Sequence, residues 1–218
     1  MEKIALCLDF DCTIVDSFQR GLNYLEEIVL GLGLPFTPEM KVKIIANWTK
    51  RPIDLIKLMW PEADCEYINE RWHEDAGTIL DFVPGGYDAL IHLNEKYYLS
   101  ILTSRNRASL LRHIDSYKYL FRFIIAGDDI QYHKPDKRSM ETVIYNYWLM
   151  GVRKEEIVYV GDGPNADWPP ARDCGVEFYG VTTGPFKRDD FLAAGLDESH
   201  ILNSIADLPK VLLNQNAS

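Results

Sequence analysis

Two carboxylates separated by one residue, Asp9 and Asp11, close the first apolar run of the chain, Ile4-Ala5-Leu6-Cys7-Leu8. A short apolar run of this kind predicts a buried parallel strand, and α/β sheets carry their chemistry just beyond the carboxyl ends of their strands. Two acids in one tight turn repel each other unless a cation or a shared proton neutralises them. The pair points to a hard metal, to acid–base work, or to both. Turn chemistry alone also places Asp after strands, so the later strand ends must decide.

The elements able to position such a pair follow from hydrophobic period. From Ser17 to about Leu80 the pattern is helical: Phe18, Leu22, Leu25, Val29 and Leu32 recur at spacings of three and four, as do Ile53, Ile56 and Trp60. Gly31 to Pro35 carries the Gly and Pro signals that end a helix. From Val83 helices and strands alternate. Pro84-Gly85-Gly86 opens a helix through Leu93, and a strand follows at Tyr98–Leu102. A helix through Leu110, Leu111 and Ile114 precedes a strand at Phe123–Ala126. The helix with Met140, Val143, Ile144 and Tyr147 precedes Ile157–Val160, and Phe178–Val181 supplies one more strand. This order predicts an α/β fold with a doubly wound, mostly parallel sheet. The helical stretch reads as an insertion after the first strand, giving a core of residues 1–15 and 83–218 and a helical cap of residues 16–82.

Composition narrows the partners. At 218 residues, 47% hydrophobic and 26% charged, the sequence predicts a soluble globular protein with one full core and a smaller domain. No apolar run reaches membrane-spanning length. Met1-Glu2-Lys3-Ile4 leads straight into the strand without a signal-peptide pattern, so cytoplasmic residence is expected. Cys7, Cys12, Cys65 and Cys174 form no CxxC pair and indicate neither a zinc site nor a disulfide framework. A net charge of −10 argues against nucleic acid and anionic membranes as partners. An anionic substrate would need local positive contacts.

Every later strand offers polar groups at its end. Thr103-Ser104-Arg105-Asn106 follows the second strand, Gly127-Asp128-Asp129 and then Lys134-Pro135-Asp136 follow the third, and Gly161-Asp162-Gly163 leads to Asp167 after the fourth. Asp9, Asp11 and Asp162 can bind one Mg²⁺, hydroxyls and amides can hold phosphoryl oxygens, and Lys134 can neutralise their charge. Phosphoryl transfer needs little beyond positioning and neutralisation.

The ordered set Asp9-Phe10-Asp11-Cys12-Thr13, Thr103, Lys134-Pro135 and Gly161-Asp162 with Asp167 resembles the haloacid dehalogenase superfamily. The similarity is to its phosphoglycolate-phosphatase and β-phosphoglucomutase-like branch with a helical cap. Val15-Asp16-Ser17, Val83-Pro84-Gly85 and Gly175-Val176 also match that branch. The resemblance implies that Asp9 is a nucleophile forming an aspartyl-phosphate and a metal ligand. It implies that Asp11 is the acid and base, with its backbone carbonyl on the metal. Thr103 and Ser104 would bind the phosphoryl group, Lys134 would orient Asp9, Asp162 would ligate Mg²⁺ and Asp167 would support the metal shell. Thr13 would hold the first loop. Dehalogenase members lack the second acid, because a departing halide needs no proton, so Asp11 favours phosphotransfer. Cys12 stands where the family usually has Gly, which predicts a slight backbone adjustment. Cys174 stands where Ala is usual, a neutral change.

Other patterns carry less. Gly161-Asp162-Gly163 through Ala166 fits a loose dinucleotide fingerprint, but Asp162 would oppose a pyrophosphate and Pro169-Pro170 cuts into the receiving helix. Cys65 to Arg71 has the spacing of cysteine phosphatases but reads as a helix. Asn47-Trp48-Thr49 and Asn216-Ala217-Ser218 match a glycosylation triplet that matters only after secretion. Among the histidines, His133 is singled out for its place beside Lys134. In the cap, Asn47 to Pro52 breaks two helical patterns, and Lys50 and Arg51 at a helix start could meet an anion on the substrate's far end or form a solvated turn. Trp48 and Trp60 are core or pocket residues.

The expected function is a Mg²⁺-dependent phosphatase of a small phosphorylated metabolite, monomeric or homodimeric. The alternatives are a sugar phosphomutase, a phosphonate-cleaving enzyme with Lys50 as a Schiff-base lysine, and a phosphometabolite-binding protein without turnover.

Overall fold

The structure is a computed structural model that describes residues 4–74 and 79–215. The ends of the expected core, part of the helical stretch before Leu80 and the triplet at Asn216 lie partly or wholly outside these residues.

Six strands form one sheet: β1 (Ala5–Leu8), β2 (Tyr98–Leu102), β3 (Phe121–Ile125), β4 (Ile157–Gly161), β5 (Glu177–Val181) and β6 (Ile201–Leu202). Their order is β3-β2-β1-β4-β5-β6, and every pair is parallel. The order reverses between β1 and β4, the point where an open α/β sheet leaves a crevice beyond its strand ends. Side-chain alternation along β1 explains the two layers of helices. Leu6 and Leu8 face one side with Leu90, Leu93, Leu110 and Leu208. Ala5 and Cys7 face the other with Met140, Val143, Tyr147 and Phe191. Helices α5 (Gly86–Asn94), α6 (Arg107–Ile114) and α10 (Leu208–Gln215) supply the first side; α7 (Lys137–Leu149), α8 (Trp168–Cys174) and α9 (Arg188–Ala193) supply the second.

Between β1 and β2 stand α1 (Phe18–Gly31), α2 (Pro38–Ala46), α3 (Pro52–Met59) and α4 (Cys65–His73). They have a hydrophobic core of their own, built on Leu22, Leu25, Val29, Ile44, Leu55, Ile56 and Ile68. The chain leaves the sheet and returns to it side by side. Asp16 N–H donates to the Asp81 carbonyl at 2.8 Å, and Val83 N–H donates to the Ile14 carbonyl at 3.0 Å. Val15 bridges both Asp11 and Phe82.

Three details differ from the sequence reading. β3 begins two residues before the expected Phe123, because its register with β2 shifts between Leu99 and Ser100. Arg122 thereby turns out over the Tyr98 ring at 4.9 Å. The two-residue β6 carries too little apolar pattern to be seen in sequence. Leu32 falls just past the end of α1 and is exposed, whereas Leu22, Leu25 and Val29 are buried. Among the described residues, no helix is long and apolar enough to cross a membrane.

Candidate active site

Strand ends at the reversal point bring the acids together. Asp9 follows β1 directly, and its N–H donates to the Val160 carbonyl of β4 at 2.8 Å. The Phe10 carbonyl then accepts from Ile14 N–H at 2.9 Å and Val15 N–H at 3.2 Å, closing a tight loop. Cys12 sits in that loop with φ 58°, the left-handed conformation that glycine adopts at no steric cost. The expected adjustment is therefore a residue held left-handed, anchored by the Thr183 hydroxyl donating to its carbonyl and by its thiol lying 3.5 Å from Ser17 Oγ.

Lys134, from the loop before α7, reaches into this floor with its side chain 4% exposed. Its ammonium lies 3.0 Å from Asp9 and 2.6 Å from Asp167. Asp167 is fixed at both oxygens: the Tyr159 hydroxyl donates to Oδ1 at 2.5 Å, and Gly163 N–H donates to Oδ2 at 2.8 Å. The glycines of the loose dinucleotide fingerprint serve this acid instead. A Cβ at Gly161 would stand 2.5 Å from the Asp167 carboxyl carbon, and one at Gly163 would stand 2.8 Å from Oδ2. The prolines that were expected to break the following helix lie in the first turn of α8, where a missing N–H costs no helical bond.

Electrostatics favours a cation here. Burial pushes the Asp9 carboxyl up to about 7, and Asp167 and Asp11 add to the rise against the pull of Lys134. Asp162 is pushed well above the carboxylate range by burial and then by Asp9 and Asp167. Lys134 stays charged although burial opposes it, because Asp167 and Asp9 hold the proton on it. Oxygens of Asp9, Asp162 and Asp167 all lie within 4.8 Å of one another. Three buried carboxylates with oxygens this close are hard donors that fit a divalent ion such as Mg²⁺. The carboxylate of Asp11 is outside this cluster.

Asp11 has another partner. Arg105 Nη2 donates to Asp11 Oδ1 at 2.6 Å and Arg105 Nε to Oδ2 at 3.0 Å, a two-pronged pair. Arg105 is 10% exposed at its side chain, donates to Ser109 Oγ at 2.8 Å, and lies over the Phe10 ring at 5.7 Å. The sequence reading noted Arg105 only within a donor cluster. The signal for its role was its place two residues after Thr103 at a helix start, where its side chain points back to the first loop. Tyr159 was missed as well, because a strand Tyr reads as core.

One cleft, open to solvent, holds Asp9, Asp11, Thr103, Ser104, Lys134, Asp162 and Asp167. Thr103 is buried, and its hydroxyl oxygen accepts from Arg105 N–H at 3.1 Å. Ser104 is pressed against the next loop: a Cβ at Gly127 would stand 2.4 Å from the Ser104 carbonyl oxygen. Lys50 also lines the cleft. Arg51 instead pairs with Asp54, at 2.5 and 2.9 Å, and borders the adjoining crevice with His133. Burial and the Arg51 charge lower the His133 pKa. Cys65 to Arg71 lies in α4, as expected of a helix.

The sequence profile of the haloacid dehalogenase-like hydrolases matches residues 6–181. The chain is similar to a phosphoglycolate phosphatase of Photorhabdus laumondii, with 24% identity over 202 residues, 83% of this chain and 80% of that protein. It is similar in fold to a protein provisionally named a haloacid dehalogenase-like hydrolase from Bacteroides fragilis, at TM-score 0.79 and 23% identity, covering 95% of this chain and 100% of the other. A structure from Lactobacillus plantarum, provisionally named a phosphoglycolate phosphatase, gives TM-score 0.80 at 20% identity over 97% of this chain and 100% of the other. The profile match spans most of the sequence and includes the strands that carry all the acids of the floor. The chain is an enzyme of the haloacid dehalogenase-like hydrolase family.

Proposed function

We propose that this hydrolase is a Mg²⁺-dependent phosphatase that cleaves a small phosphorylated metabolite through an aspartyl-phosphate on Asp9. The observation that carries the reading is a second acid, Asp11, on the same cleft as Asp9 but outside the buried cluster that surrounds it.

In this reading an Asp9 carboxylate oxygen attacks phosphorus and the bond to the leaving oxygen breaks. Lys134, 3.0 Å away, pulls Asp9 toward the ionised form that attack needs, against the effect of burial. Asp11 gives its proton to the departing oxygen, then takes one from the water that attacks the aspartyl-phosphate, which returns Asp9 and frees phosphate. Thr103, Ser104 and Lys134 hold the phosphoryl oxygens. Asp9, Asp162 and the backbone carbonyl of Asp11 would hold the Mg²⁺, with Asp167 supporting its shell. The ion supplies charge neutralisation to the phosphoryl oxygens. Arg105 positions Asp11. Residues 16–82 act as a cap that swings on the paired segments at 14–16 and 81–83 and excludes bulk water, with Lys50 near the leaving group.

Phosphate release from a panel of sugar phosphates, nucleotides, phosphoglycolate and phosphoserine tests this. Activity should require Mg²⁺ and should vanish in Asp9→Asn. A panel without any released phosphate would overturn the reading, and full turnover in Asp9→Asn would overturn its mechanism.

A further inference from the structure

Separate segments of the helical layer bring aromatic rings to the cleft over Asp9. Trp48 comes from the loop between α2 and α3 and Trp72 from α4, and both line the cleft beside Gly21, Pro52 and Leu80. The rings are held in place. Trp72 donates its indole N–H to the Gly21 carbonyl at 2.9 Å. Trp48 stands edge-on to Trp72 and Phe18, with ring centroids 5.6 and 5.0 Å away. Gly21 lets the backbone of α1 come close: a Cβ there would already sit 3.4 Å from the Trp48 ring. Both indoles are half-buried, so each keeps surface to offer.

A small, fully hydroxylated or carboxylated leaving group gains little from such a wall, because its polar groups would lose water without finding partners there. A planar ring gains stacking, worth about 1–3 kcal/mol for a base on an aromatic side chain. Indole faces also attract organic cations. Lys50 lines the same cleft, however, and its charge opposes a cationic occupant.

We propose that the cleft takes a phosphomonoester whose leaving group carries an uncharged planar ring, with the ring against Trp48 and Trp72 and the phosphoryl group at Asp9. This rests on the phosphatase reading above. The substrate class that fits includes nucleoside monophosphates and other ring-bearing alkyl phosphates.

The test compares substrates with the same leaving hydroxyl, with and without a ring. Values of kcat/KM are measured for adenosine and uridine 5′-monophosphates against ribose 5-phosphate, and for benzyl phosphate against ethyl phosphate, with phosphoglycolate and phosphocholine alongside. The ring-bearing member of each pair should lead by about tenfold or more, mainly through KM. Trp48→Leu and Trp72→Leu should each reduce that ratio, which compares two substrates on one preparation and so is insensitive to the folded fraction. Equal use of both members of each pair, with phosphate still released, would overturn the inference and leave the phosphatase reading standing. A preference for phosphocholine would overturn it in favour of a cation. A ring preference that survives both substitutions would remove the indoles from the assignment. Failure to release phosphate from any compound would defeat the phosphatase reading and the inference with it.

Discussion

The floor of the cleft and its helical wall are built in opposite ways. On the floor, Asp9, Lys134 and Asp167 sit at strand ends or in the loops that follow, side chains almost fully buried, each paired with a named partner at hydrogen-bond distance. On the wall, Trp48, Lys50 and Trp72 come from a loop and a helix end and are half-buried or exposed, and the two indoles meet through ring edges rather than charge. Charge in a buried place demands fixed partners, whereas an apolar wall needs only shape. Under the proposed function, the floor would serve one reaction and the wall would select what enters.

The strongest way to break this contrast is to remove the floor's ammonium. Lys134→Ala leaves Asp9 and Asp167 buried without it, and loss of one member of a buried ion pair costs about 3–5 kcal/mol. Denaturant melts should show that loss together with no phosphate release; a variant as stable as the parent would show that charge does not hold the floor.

Metal and pH sharpen the same point. The Asp9 carboxyl is raised to about 7 from its ordinary 3.8. A folded-state pKa above the unfolded one gives stability that is present below the unfolded value and lost as pH rises through the folded one. The metal-free protein should therefore melt at lower temperature as pH climbs from about 4 to 7. Mg²⁺ at a hundredfold excess over its Kd should add about 2.7 kcal/mol, and its effect on Tm should be larger at alkaline than at acid pH. A Tm indifferent to Mg²⁺ at every pH would deny the acid cluster its role.

Arg105 lines the same cleft and holds Asp11. Arg105→Ala should lower kcat on alkyl phosphates by about tenfold to a hundredfold. The loss should be smaller on p-nitrophenyl phosphate, whose leaving group departs without a proton. Equal losses on both would assign Arg105 to phosphate binding rather than to Asp11. The smallest effect belongs to Cys12→Gly. Relief of the left-handed backbone, worth about 1 kcal/mol, is offset by the lost burial of the thiol, so stability should move by less than that and turnover should persist. A loss above about 2 kcal/mol would mean that the thiol packs for a structural purpose.

The contrast also explains what could be read from sequence. β1, β2, β4 and β5 stood out because their apolar runs are bounded by Gly, Asp or Thr, and the floor's acids because each follows such a run. Arg105 was legible as a donor but not as the partner of Asp11, since that pair joins residues 94 positions apart. Gly161 and Gly163 fitted a dinucleotide fingerprint that Asp162 and Pro169-Pro170 argued against, and only the packed carboxyl of Asp167 reveals their use. Trp48 and Trp60 could each be core or pocket, and Trp72 carried no signal of its own, because helical spacing does not tell an inward ring from one that borders a cleft. Lys50 and Arg51 are neighbours in sequence, yet one faces the cleft and the other pairs with Asp54, a separation decided by the start of α3.

The paired segments at 14–16 and 81–83 carry a mechanical consequence. Val15 is bridged on one side to Asp11 and on the other to Phe82, while Asp9 is tied to β4 through Val160. In the proposed closure, rotation of α1 to α4 over the sheet would pass through this short ribbon as twist and would meet the loop of Asp11, which Arg105 ties to the end of β2, before it reached Asp9. The two aspartates that open the sequence would then feel that movement unequally, Asp11 first and Asp9 least.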